Sequence, residues 1–283
     1  MKKSISYWAF PGGLEGTKDI AEAMREAKAA GFEAIELCLA DGGSLPLNAT
    51  QKECEKLRKQ AEKVGIAISS VATGIWWGYN FSSPTPAERE KAVAAAKKAV
   101  QITRWLGTDA LLTIPGAVDV FFNPSAPVLP YDTVMERAKA GVKAVLPAAE
   151  EAKVILAIEP VWNKFLLSPM EMANFVDAFQ SQWIGVYFDV GNVMPYGYPE
   201  QWIRILGKRI RRVHLKDFKR AVGTAEGFCD LLEGDVNWPE VVKALKEIGY
   251  DGYLTAEMIP LYKHHPQVRI WNTSRAMDAI LGK

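Results

Sequence analysis

Short apolar runs alternate with longer stretches of helical periodicity from one end of the chain to the other. Eight runs read as buried strands: residues 5–10, 34–39, 66–72, 110–114, 154–159, 186–189, 212–215 and 253–257. Between and after them, helices are predicted over residues 17–30, 50–64, 85–106, 131–152, 168–179, 199–206, 238–249 and 268–281. The punctuation agrees with this division. Thr17 is placed to cap the first helix and Gly31 to stop it, and Pro86 falls at a first helical position. Pro147, late in the fourth helix, is expected to kink or shorten it.

Strict strand–helix alternation implies a parallel sheet with helical crossovers. Eight units in 283 residues, with no linker or change in composition, predict an α/β fold: a single closed (β/α)₈ TIM barrel over residues 1–283. An open doubly wound sheet is the alternative. The turn after the first strand, Phe10-Pro11-Gly12-Gly13, is too short and wrongly spaced for the dinucleotide fingerprint such a sheet often carries.

Loop lengths give the barrel a polarity. The helix-to-strand turns are short, as at Gly31, Gly65, Gly107 and Gly249. The strand-to-helix loops are long, spanning residues 73–84, 115–130, 160–167, 216–237 and 258–267. They lie beyond the C-terminal ends of the strands, where barrel enzymes carry their sites. Aromatic residues in these loops (Trp76, Trp77, Tyr79, Phe81, Phe121, Phe122 and Trp162) suit the walls of a pocket.

Composition narrows the function. With 34 Lys plus Arg against 33 Asp plus Glu, the net charge is +1, so no field draws in nucleic acid or an anionic membrane. No apolar run is long enough to span a bilayer, and no signal peptide is read at the N-terminus. Three scattered cysteines, Cys38, Cys54 and Cys229, fit free thiols in a reducing cytoplasm.

Four strands of the second half end in a residue that can bind a hard cation: Glu159, Asp189, His214 and Glu257. Each alone has a structural explanation, as a salt-bridge partner, a turn former or a hydrogen-bonded core histidine. Together they sit at equivalent positions of four successive strands, adjacent in a barrel. Three clustered carboxylates are costly to bury unless a cation neutralises them. Three oxygens and an imidazole suit one divalent metal ion, Mn²⁺ first, with Mg²⁺, Co²⁺ or Zn²⁺ as alternatives. Lys216, Arg220 and Asn192 are candidate ligands for substrate oxygens or phosphate, or solvated surface groups. Trp8 is either a wall of the pocket or barrel core, and Glu36 faces the same end from the second strand.

The segments Ile158-Glu159-Pro160, Phe188-Asp189-Val190-Gly191-Asn192, Val213-His214-Leu215-Lys216-Asp217 and Ala256-Glu257-Met258 resemble the metal-binding strand ends of the xylose isomerase-like barrel superfamily. The resemblance covers essentially the whole chain. It is nearest to the sugar-phosphate isomerases and epimerases: ketose 3-epimerases, L-xylulose 5-phosphate 3-epimerase and hydroxypyruvate isomerase. Leu232-Glu233-Gly234-Asp235-Val236-Asn237-Trp238 also resembles a loop of that family. The resemblance implies that Glu159, Asp189, His214 and Glu257 hold one metal, and that Glu159 and Glu257 double as acid and base. Arg220 matches an arginine that binds substrate oxygens in the ketose 3-epimerases. Two positions depart from that pattern: Asn192 replaces a histidine and Phe165 replaces a second glutamate. Asp-x-Gly-Asn is nearer to the phosphorylated-sugar branch.

The implied activity is an isomerase: proton abstraction beside the carbonyl of a small sugar or sugar phosphate, through an enediolate. A dehydratase or lyase acting on a keto-sugar or keto-inositol, or a non-catalytic sugar-binding barrel, is the alternative. The family is compatible with a homo-oligomer, dimer or tetramer. Endonuclease IV shares the barrel, but its site needs more than the three histidines present.

Overall fold

A computed structural model describes residues 1–283. In chain order its elements are β1 (Lys2–Ser6), α1 (Ile20–Ala29), β2 (Ala34–Leu39), α2 (Gln51–Val64), β3 (Ala67–Thr73), α3 (Pro86–Trp105), β4 (Ala110–Thr113), α4 (Tyr131–Ala152), β5 (Ile155–Ile158) and α5 (Pro169–Asp177). There follow β6 (Ile184–Asp189), α6 (Pro199–Leu206), β7 (Ile210–Leu215), β8 (Asp217–Phe218), β9 (Phe228–Cys229), α7 (Trp238–Glu247), β10 (Tyr253–Ala256) and α8 (Gln267–Leu281). Eight strands pair in parallel and close in the order β1-β10-β7-β6-β5-β4-β3-β2. The helices surround this barrel. No helix is long and apolar enough to cross a membrane.

Three local expectations are corrected. The first strand covers Lys2–Ser6, and Tyr7–Ala9 form a 3-10 turn capped by the Ser6 side chain. The first helix starts at Ile20 with Asp19 as its cap, while the Thr17 hydroxyl donates to Gly12 O. Pro147 does not shorten α4, which runs on to Ala152.

The β8–β9 hairpin was not foreseen; it folds the loop after β7 back on itself. Register places the candidate donors at one level. Asp189 on β6 lies beside His214 on β7, and His214 lies beside Thr255, two residues before Glu257. Side chains alternate along a strand, so Tyr187 and Asp189 both point into the barrel, one layer apart.

Candidate metal centre

The four donors converge. One atom from each of Glu159, Asp189, His214 and Glu257 falls within a group in which no two are more than 4.8 Å apart, and all four residues are buried. The imidazole turns Nδ1 toward the carboxylates: 3.0 Å to Glu159 Oε1, 3.6 Å to Glu257 Oε2 and 3.8 Å to Asp189 Oδ2.

Its other nitrogen is engaged across the barrel. His214 Nε2 lies 2.9 Å from Glu36 Oε1. Glu36 Oε2 accepts hydrogen bonds from the Tyr187 hydroxyl and, at 2.9 Å, from Ser70 Oγ. Glu36 sits at a register shift between β2 and β3, an irregularity that re-aims a side chain into the barrel. Glu36 therefore fixes the ring through the nitrogen that faces away from the carboxylates, the arrangement typical of histidines that ligate metals.

Electrostatics point the same way. Burial pushes Glu159 up to about 7, although the His214 imidazolium pulls it down and Glu257 adds repulsion. Asp189 is raised by burial, against the pull of Lys216 and His214. Burial opposes the charged form of His214, yet Glu36, Glu257 and Glu159 outweigh it and hold the ring protonated well above the usual range. Burial works against ionised Glu36 too, and His214, Tyr187 and Ser70 together bring its carboxyl below the ordinary value.

Lys216 supplies a second cation. Its ammonium lies 3.1 Å from Asp189 Oδ2 and touches Glu257 Oε2. Both oxygens are buried, so the ammonium is the cation that balances them. Three carboxylates and an imidazole, once its proton is displaced, fit one hard or borderline divalent ion.

The surrounding backbone is shaped for these contacts. Asp189 Oδ1 accepts from the Asn192 amide at 2.8 Å, which leaves Oδ2 facing the cluster. A Cβ on Gly191 would stand 2.6 Å from Lys216 Cβ, so glycine is what lets Lys216 pass. Asp217, whose role no sequence motif signals, organises the loop after β7. It accepts from the amides of Phe218, Leu232 and Val236 and from Trp238 Nε1. A side chain on Gly234 would collide with that carboxylate.

A cavity of about 570 Å³ opens over the cluster at the C-terminal end of the strands. Glu159 and Glu257 form part of its floor, with Lys216 and Asn192 beside them and Trp8 on the wall. Trp77, Phe121, Phe122 and Trp162 also line it. Trp76, Tyr79 and Phe81 do not; Trp76 and Phe81 are buried, and Trp76 Nε1 donates to Leu112 O. Arg220 is not brought to the cavity. Its guanidinium stacks on Tyr198, 4.5 Å from the ring centroid, and donates to Gly197 O. The amide of Arg220 is held by Asp235, which turns the side chain outward.

Residues 24–276 match the family model described as "Xylose isomerase-like TIM barrel". The chain belongs to this family. Among curated xylose isomerase-like relatives it is 27% identical to "Putative L-ribulose-5-phosphate 3-epimerase SgbU" of Escherichia coli (strain K12), over 93% of this chain and 94% of that protein. It is 23% identical to D-psicose 3-epimerase of Enterocloster bolteae, over 89% and 80% of the two chains. Its fold superposes on that of a D-psicose 3-epimerase crystallised in the presence of D-fructose, with a TM-score of 0.79, 18% identity and full coverage of both chains.

The two departures from the ketose 3-epimerase pattern have structural counterparts. Phe165 is buried between the rings of Tyr131 and Phe175, at 5.5 and 6.2 Å, so that position offers the cavity no carboxylate. Asn192 lines the cavity, with Nδ2 tied to Pro160 O and Oδ1 3.5 Å from Lys216 Nζ.

Proposed function

We propose that residues 1–283 form one barrel domain whose site epimerises or isomerises a sugar by moving a proton beside its carbonyl, with a divalent metal bound by Glu159, Asp189, His214 and Glu257. The observation that carries this reading is that Glu159 and Glu257 belong to the donor cluster and also line the cavity. The epimerase names of the relatives support it.

The bound ion would act as a Lewis acid toward the substrate's carbonyl and neighbouring hydroxyl oxygens. The chain's own groups do the rest. One glutamate carboxylate takes the proton from the carbon beside the carbonyl, leaving an enediolate, and the other returns a proton. Glu159 and Glu257 both reach the cavity floor, where either can meet a proton on a bound substrate. Return to the opposite face of the same carbon gives the epimer, and return to the neighbouring carbon gives the aldose–ketose isomer. Loss of a β-hydroxyl from that enediolate is the dehydratase outcome. Lys216 and Asn192 face the cavity where they can orient substrate oxygens. The three cysteines are free thiols, which accords with a cytoplasmic setting.

The test is exchange. Protein shown to hold Mn²⁺ is incubated in D₂O with a panel of ketoses, ketose phosphates and glycosides bearing a ring carbonyl, and deuterium at the carbon beside the carbonyl is read by NMR. Incorporation that disappears in Glu159→Gln and in Glu257→Gln is the expected result. No incorporation with any substrate of the panel overturns the reading.

A further inference from the structure

The cavity wall is an unbroken run of aromatic contacts. Trp77 meets Phe122 edge-on with centroids 5.0 Å apart, and Phe122 meets Phe121 at 5.2 Å. Phe121 meets Trp162 at 6.0 Å, and Trp162 meets Phe228 at 5.1 Å. These five rings come from four different strand-to-helix loops. Four loops have converged to build one apolar surface facing the acid/base floor.

Charge is distributed the opposite way from what a phosphate needs. The charged residues lining the cavity are Glu159, Glu257 and Lys216, and the Lys216 ammonium is already shared between Glu257 and Asp189. Arg220 points at Tyr198 and away from the cavity. Barrels commonly bind phosphate with the loops after their last two strands. In this chain those loops present Lys216, Ala225, Phe228, Ile259 and Pro260 to the cavity. A phosphate set there would be desolvated against apolar side chains and two carboxylates, with Lys216, itself paired with Glu257 and Asp189, as the single cation and no guanidinium fork.

We infer that the substrate is a neutral keto-sugar carrying a second ring, a glycoside whose distal ring stacks on the wall formed by Trp77, Phe122, Phe121, Trp162 and Phe228, and not a ketose phosphate. A sugar ring or an aryl group presents an apolar face of C–H or π character, which aromatic side chains cover well. The volume, about 570 Å³, lies within the range of pockets that enclose drug-sized ligands and exceeds the needs of a five-carbon sugar. The inference rests on the proposed function for its reactive end and on the aromatic wall for its distal end.

The test uses the full chain loaded with Mn²⁺ and follows its tryptophan fluorescence, since Trp8, Trp77 and Trp162 line the cavity. Three probes are titrated: a free ketose, the phosphate of the same ketose, and a phenyl glycoside bearing a ring carbonyl. The glycoside is expected to bind at least about tenfold more tightly than the free ketose, and the phosphate no more tightly than the free ketose. Trp77→Ala should shrink the preference for the glycoside at least about fivefold, and Phe122→Arg should shift preference toward the phosphate. Wild-type protein that binds the phosphate about tenfold more tightly than the free ketose overturns the inference. Deuterium exchange with the same three probes separates this result from the proposed function. Exchange with the phosphate as the best substrate removes the neutral-ring inference and leaves the epimerase reading standing. Absence of exchange with all three removes the epimerase reading, while the fluorescence order still reports the wall's preference.

Discussion

His214 Nε2 lies 2.9 Å from Glu36 Oε1, although 178 residues separate the two and they stand on β7 and β2. The contact decides which imidazole nitrogen meets the carboxylate cluster. Glu36→Gln should keep the fold and lower Mn²⁺ affinity by about 10- to 100-fold, the usual cost of losing the outer partner of a ligating histidine. Calorimetric titration measures the affinity, and ¹⁵N chemical shifts of the ring report its tautomer. Wild-type affinity with an unchanged tautomer would show that the ring is set without Glu36.

Metal binding should release protons. Glu159 is raised from 4.5 to about 7 in the metal-free protein, and His214 is held protonated above its usual 6.5. Both folded-state values are raised, so the stability these groups contribute is fully present below their unfolded values and is lost as pH climbs through the folded ones. The metal-free protein therefore weakens between pH 4.5 and about 7 on account of Glu159, and metal affinity rises over the same interval. A chelator-competition series across that interval checks the direction. Affinity that is flat with pH would refute it.

Lys216→Met removes the cation lodged between Asp189 and Glu257. Breaking a buried ion pair from one side costs about 3 kcal/mol, because the remaining charges are left unpaired. Thermal melts should show a clear loss in the metal-free variant and a larger gain on adding Mn²⁺ than in the wild type. An equal gain in both proteins would mean that Lys216 is not acting as a counter-ion.

Gly234→Ala tests the loop after β7. The added methyl group would overlap the Asp217 carboxylate, which holds three amides and the Trp238 indole. Displacing it should destabilise the protein by about 1–3 kcal/mol in urea unfolding. Asp217→Asn should be destabilising as well, since the carboxylate accepts all four bonds. A neutral Gly234→Ala would show that the loop tolerates a shifted Asp217.

The barrel was legible because its periodicity is carried by eight separate segments, each short, apolar and followed by a stretch of helical period. The four donors were legible because each closes an apolar run at the same relative position. The partnership of Glu36 with His214 was not, since it depends on how strands across the barrel are rotated against each other, a property of closure that no local pattern encodes. The aromatic run at residues 5–10 read as strand, yet Tyr7–Ala9 turn away because the Ser6 hydroxyl caps them. The direction of Arg220 was unreadable for a similar reason: the Asp235 carboxylate that holds its amide lies fifteen residues on in the same loop. The β8–β9 hairpin has only two residues in each strand, too few to show an alternation.

Lys216 and protonated His214 give the carboxylate cluster two positive charges of its own. Small zinc domains, by contrast, stay unfolded until their ion arrives. Here the cluster carries internal counter-ions, and a metal arriving at the site would take the place of the His214 proton. Folding would then not wait on metal supply, and an ion could be exchanged without dismantling the barrel.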